Sequence, residues 1–121
     1  MDDGAMGEVS AARELGEDRS LLILDDDEPF RRRLARAMEK RGFDPVIMAE
    51  SVAEGLAAVR GAPPAYAVID LRLEDGNGLD VVETLRAARP DSRAVVLTGY
   101  GAIATAVAAV KVGATDYLSK P

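Results

Sequence analysis

The chain has 121 residues, 48% of them hydrophobic, 30% charged and 4% aromatic, which suits one domain built around one core. It contains neither Cys nor His, so thiolate nucleophiles, zinc-thiolate sites, imidazole ligands, Ser-His-Asp catalysis and a phosphohistidine on this chain are excluded. The formal charge of −6 is unevenly placed: residues 1–18 carry six acids and one base, and the remainder is almost balanced.

The acidic segment 1–18 lacks apolar periodicity and is expected to stay mobile ahead of a folded unit over 19–121. No apolar run approaches the roughly 18 residues that span a bilayer, and no basic stretch leads into an apolar one as in a signal peptide. A cytoplasmic location is therefore expected. The nearly neutral body gives no electrostatic warrant for binding DNA or an anionic membrane by itself.

From residue 20 onward, short apolar runs alternate with helical patterns. Leu21-Leu22-Ile23-Leu24 ends in acids and reads as a strand buried on both faces. A helix follows, with Pro29 in its first turn and Phe30, Leu34, Ala37 and Met38 at helical spacing. Arg31, Arg32, Arg33, Arg36 and Lys40 are assigned to its remaining surface, and Gly42 ends it. A second strand covers 45–49, after which Ser51-Val52-Ala53-Glu54 has the spacing of a capping box and opens a helix that Gly61 and Pro63-Pro64 stop. Tyr66 to Ile69 is the third strand, ending on Asp70. Residues 74–78 read as a loop, and Leu79, Val82 and Leu85 begin a third helix that stops at Pro90. Ala94 to Thr98 is the fourth strand, Gly101 to Val112 the fourth helix and Thr115 to Ser119 the fifth strand, before Lys120-Pro121.

Such alternation predicts an α/β fold with a parallel sheet, right-handed crossovers and helices on both faces. Functional groups in such open sheets gather at the carboxyl ends of the strands. Those ends carry Asp25-Asp26-Asp27, Asp70, Thr98 and Lys120. Two carboxylates about 4 Å apart repel by roughly 4 kcal/mol at an effective dielectric near 20, so a single lysine does not balance several of them. A divalent cation does. With only oxygen donors on offer, Mg²⁺ is favoured. Each acid also has a plainer reading, as Asp27 does in the role of helix cap, and Gly76-Asn77-Gly78 reads as a turn and helix cap rather than an ion loop.

The series Ile23 to Pro29, Val68-Ile69-Asp70, Gly76-Asn77-Gly78-Leu79, Val96-Leu97-Thr98-Gly99 and Gly113 to Pro121 resembles the receiver domain of two-component response regulators, over residues 20–121. Within that superfamily, Asp70-Leu71-Arg72-Leu73-Glu74-Asp75-Gly76 is most similar to the RegA/PrrA/ActR group of redox-responsive global regulators. The resemblance implies a flavodoxin-like, doubly wound sheet of strand order 2-1-3-4-5. It implies that Asp70 accepts a phosphoryl group from a sensor histidine kinase. Mg²⁺ would be held by Asp26, Asp70 and the backbone carbonyl of Arg72, with Asp25 acting through water. Thr98 and Lys120 would hold phosphoryl oxygens, Tyr117 would follow Thr98 in a switch, and Arg72 and Gly99 would modulate. The output would be transcriptional, through a helix-turn-helix that is absent from this sequence.

Three departures qualify the resemblance. Many receivers place Pro four residues after the acceptor, where this chain has Glu74, so a loop of different shape or greater mobility is expected. Arg72 sets a long cation two residues from Asp70, either restricting water there or lying on the surface. The pattern also expects a fifth helix after Lys120-Pro121, which the sequence lacks; with the almost wholly apolar helix at 101–112, this predicts a homodimer or higher oligomer through the fourth helix, the fifth strand or the uncovered face. Two other readings fit parts of the sequence. Asp25, Asp27, Thr98 and Lys120 also resemble parts of a haloacid-dehalogenase-type Mg²⁺ phosphatase, with Asp25 as nucleophile and Asp27 as general acid. The arginines of the first helix could instead form a nucleic-acid surface, though no interleaved aromatic residues support base stacking.

Overall fold

The computed structural model describes residues 17–99 and 113–119. The segment 1–16, the fourth helix expected at 101–112, and Lys120-Pro121 with its bond isomer lie outside the described residues. In chain order the elements are β1 (Leu21–Leu24), α1 (Glu28–Lys40), β2 (Val46–Ala49), α2 (Val52–Gly61), β3 (Tyr66–Asp70), β4 (Arg72–Leu73), β5 (Gly76–Asn77), α3 (Leu79–Ala88), β6 (Arg93–Thr98) and β7 (Asp116–Ser119).

Five strands form a parallel sheet in the order β2-β1-β3-β6-β7, the expected 2-1-3-4-5 order once the small β4-β5 hairpin is set aside. The hairpin corrects the sequence reading, which took 74–78 as a plain loop: Arg72 pairs with Asn77 and Leu73 with Gly76.

Side chains alternate across each strand, so the sheet builds two cores. Leu22, Leu24, Ala67, Ile69, Ala94 and Val96 point to the face covered by α2 and α3, where they meet Val59, Val81, Val82 and Leu85 in the larger cluster. Leu21 and Ile23 point the other way, onto Ala35, Leu34 and Met38 of α1. Tight seating on the first face requires Gly55 in α2. A Cβ there would come within 2.9 Å of Leu24 Cδ2 and 3.2 Å of Val81 Cγ2, so any larger residue forces Leu24 or the helix to shift. The second face is less closed: Tyr66, Val68 and Val95 are half-buried, and Leu118 is 56% exposed.

Helix ends follow the expected chemistry. The Ser51 hydroxyl accepts from Glu54 N at 3.1 Å, and Glu54 returns a carboxylate to Glu50 N at 2.9 Å. At the far end of the sheet, Asp18 accepts from Ser20 N at 2.9 Å and pairs with Arg89 at 2.7 Å. That guanidinium, with help from the Ser20 amide, lowers the Asp18 pKa from 3.8 to about 2. No helix among the described residues is long and apolar enough to cross a membrane.

Candidate functional site

The register of β1 against β3 builds the site. Leu24 is paired with Ile69, so the residues that follow, Asp25 and Asp70, leave adjacent strands side by side at the carboxyl edge. One carboxylate oxygen from each of Asp25, Asp26 and Asp70 lies within 4.8 Å of the other two. Asp25 and Asp70 are buried and Asp26 is exposed, so the group opens to solvent on one side. At that separation each pair of ionised carboxylates repels by about 3.5 kcal/mol at an effective dielectric near 20. Three oxygen donors, no nitrogen or sulfur, and an open side fit a hard divalent cation that keeps some of its water.

Backbone amides and one arginine hold the acids in place. Asp25 Oδ1 accepts from Asp27 N at 2.9 Å, and Asp70 Oδ1 accepts from Arg72 N at 3.1 Å. Asp27 has the plainer of its two roles: its carboxylate caps α1 by accepting from Phe30 N at 3.1 Å. Arg31 departs from the sequence reading, which set it on the helix surface. It is buried, and its guanidinium donates to the Asp25 carbonyl at 2.8 Å. The helical stripe already held the signal, since positions 31, 34, 35 and 38 share one face, but three consecutive arginines masked it.

The loop after Asp70 is the second element that the sequence left unread. Gly78 N donates to the Leu71 carbonyl at 3.0 Å, and the Asn77 side-chain oxygen accepts from Leu79 N, the first amide of α3, at 2.9 Å. The close approach of Gly78 to β3 leaves no room for a side chain. A Cβ there would collide with the Asp70 carbonyl oxygen and sit 2.7 Å from Ile69 Cγ2. At the hairpin tip, Asp75 accepts from Val52 N at 2.8 Å and Ala53 N at 3.1 Å, and these two bonds lower its pKa below the ordinary carboxylate value. An open cleft of about 400 Å³ beside the acids is bordered by Asp26, Glu50, Ser51, Glu74 and Asp75.

The remaining predicted residues are placed as far as the backbone reaches. Thr98 ends β6, one position beyond Leu97, which is paired with Asp70, and lies opposite Ser119. The Thr98 side chain and Lys120 lie outside the described residues. Gly99 follows, half-buried. Tyr117 is partly buried against the core on the α2–α3 side, and Arg72 is exposed. The phosphatase alternative loses one part here: Asp27, its general acid, is engaged as a helix cap.

A doubly wound sheet with three converging aspartates at its carboxyl edge defines a receiver-type fold and site, and residues 21–121 match the response regulator receiver domain family. The chain belongs to that family. It is 80% identical over 108 residues to the photosynthetic apparatus regulatory protein RegA of Rhodovulum sulfidophilum, covering 89% of this chain and 58% of that protein. It is 66% identical over 107 residues to the acid tolerance regulatory protein ActR of Rhizobium meliloti (strain 1021), covering 88% and 55% respectively. The chain thus spans little more than half the length of these curated relatives. Among solved structures, it is similar to a response regulator protein from Burkholderia pseudomallei crystallised with a phosphorylated aspartic acid, a calcium ion and citrate. That match has a TM-score of 0.79 and 42% identity, covering 86% of this chain and 61% of the other. The phosphatase reading gains no support from these likenesses.

Proposed function

We propose that Asp70 is the phosphoacceptor of this receiver, taking its phosphoryl group from the phosphohistidine of a sensor histidine kinase in the cytoplasm. A carboxylate oxygen of Asp70 attacks phosphorus in line, the phosphorus–nitrogen bond breaks with its electron pair returning to the imidazole, and an aspartyl phosphate results. The observation that carries this reading is the convergence of Asp25, Asp26 and Asp70 within 4.8 Å at the ends of paired strands. It is supported by the phosphorylated aspartic acid and calcium ion of the Burkholderia relative.

Mg²⁺ is our assignment for the cation, with Asp26, Asp70 and the Arg72 carbonyl as its protein ligands and Asp25 acting through water. When bound, it neutralises charge on the phosphoryl oxygens. Arg72 N keeps the Asp70 carboxylate oriented, and Arg31 fixes the backbone from which Asp25 and Asp26 project. Thr98 and Lys120 are assigned to the phosphoryl oxygens. Tyr117 is assigned to a switch that alters the surface of β7 and carries the signal to a DNA-binding output in the longer protein. Arg72 and Gly99 modulate the lifetime of the phosphoryl group. The receiver unit is set at 19–121, and the Asp18 carboxylate just before it is tied to Arg89. Exposed Leu118 on β7 supports self-association as part of the same reading.

Labelling with acetyl phosphate, with and without Mg²⁺, followed by mapping of the modified residue, tests this assignment. Modification is expected at Asp70, dependent on the cation and abolished by Asp70→Asn. Unchanged labelling of that variant, or modification at Asp25, would overturn it.

A further inference from the structure

Asp75 has no part in the phosphoryl chemistry, yet it sits at the tip of the hairpin that carries Arg72. Both of its carboxylate oxygens are occupied, Oδ1 by Val52 N and Oδ2 by Ala53 N, across more than twenty residues of chain. A carboxylate engaged in this way is a bridge between two elements, although it borders the same cleft as Asp26. The other amides at the start of α2 have their own acceptors: Glu54 N has the Ser51 hydroxyl and Gly55 N has the Ser51 carbonyl. A negative charge is also favourable at a helix N-terminus.

The hairpin needs such a bridge. It pairs only Arg72 with Asn77 and Leu73 with Gly76, and an isolated two-stranded ribbon is marginal in water even when longer. Leu73 holds its inner side by burial in the larger core. The tip is held by Asp75.

We infer that Asp75 is a positioning residue for the divalent cation: by tying the hairpin tip to the first turn of α2, it fixes the backbone at Arg72. This rests on the function proposed above, which gives the Arg72 carbonyl to the metal. Residues that orient a metal ligand from behind are commonly worth tenfold or more in affinity. Asp75→Ala therefore weakens Mg²⁺ binding about tenfold. Asp75→Asn, which keeps one acceptor oxygen, falls between Asp75→Ala and the parent.

The test is calorimetric titration of Mg²⁺ alone into the parent chain, Asp75→Ala, Asp75→Asn and Glu54→Ala. Glu54→Ala removes another capping carboxylate from the same helix without touching the hairpin. The expected result is a raised Kd for the Asp75 variants and an unchanged Kd for Glu54→Ala. At saturating Mg²⁺, labelling of Asp70 in the Asp75 variants keeps its maximal rate, so the loss is one of affinity and not of turnover. An unchanged Kd in Asp75→Ala, or an equal loss in Glu54→Ala, overturns the inference while leaving the function standing. Failure of the parent to bind Mg²⁺ overturns both. If circular dichroism shows Asp75→Ala to be unfolded, Asp75→Asn against Glu54→Ala decides the matter in the same terms.

Discussion

The turn after β1 and the loop after β3 deliver carboxylates to one pocket, and they are held in opposite ways. Asp25, Asp26 and Asp27 lead straight into α1; Asp25 N stays tied to Ala49 O across the sheet, while the carboxylates of Asp25 and Asp27 accept from Asp27 N and Phe30 N, close in sequence, and the Arg31 guanidinium donates to the Asp25 carbonyl. The stretch from Leu71 to Gly78 is folded into a hairpin whose tip is bonded to a helix more than twenty residues upstream. A short turn can be fixed by its own caps. A longer loop at a reactive edge has more freedom to lose on ordering, and here a tertiary contact restrains it.

The comparison is broken most severely at Gly78. Gly78→Ala drives a methyl group into the Asp70 carbonyl and Ile69. Overpacking of this kind costs about 3 kcal/mol, read as a lowered urea midpoint, and because the strain falls on the backbone of Asp70, the acceptor proposed above, labelling at that residue is expected to drop as well. The turn after β1 responds more mildly. Asp27→Ala removes one helix cap, worth about 1 kcal/mol of unfolding free energy. Labelling stays within about twofold of the parent, because the amide that holds Asp25 is backbone and survives the change.

The smallest effect comes from Asp18, a long-range carboxylate tie remote from the acids and therefore a reference for Asp75. Its folded pKa of about 2 lies below the ordinary 3.8, so its stabilisation is complete above the ordinary value and is lost as pH falls through about 2. The pair is part-exposed, with 48% of the Asp18 side chain accessible. Asp18→Asn accordingly costs less than about 1 kcal/mol at neutral pH. Urea unfolding of parent and variant converges in strong acid, while Mg²⁺ affinity is equal throughout the neutral range.

The two loops also differ in how much of them the sequence revealed. Alternating apolar runs and caps located the five strands of the sheet and the helices at 28–40, 52–61 and 79–88, because periodicity and capping are local signals, whereas the strand order came with the family resemblance. Asp25, Asp26 and Asp70 were legible for the same reason, each lying at or just after the end of a buried run. Arg31 was misplaced because a run of like residues resembles a solvated face, and only its phase with Leu34, Ala35 and Met38 marks it as inward. The hairpin was missed because two-residue strands have no period to detect. Asp75 was read as a loop residue because its partners, Val52 N and Ala53 N, are backbone groups with no side-chain signature.

Gly55 gives the bridge from Asp75 its mechanical meaning. The helix to which the hairpin is moored lies hard against β1 and α3, with no space for even a methyl group beneath it. Its anchorage is thus to a closely packed part of the core. Heat or denaturant that loosens this packing would slacken the reactive edge at the same moment, so the pocket would dissolve in one cooperative step with the core.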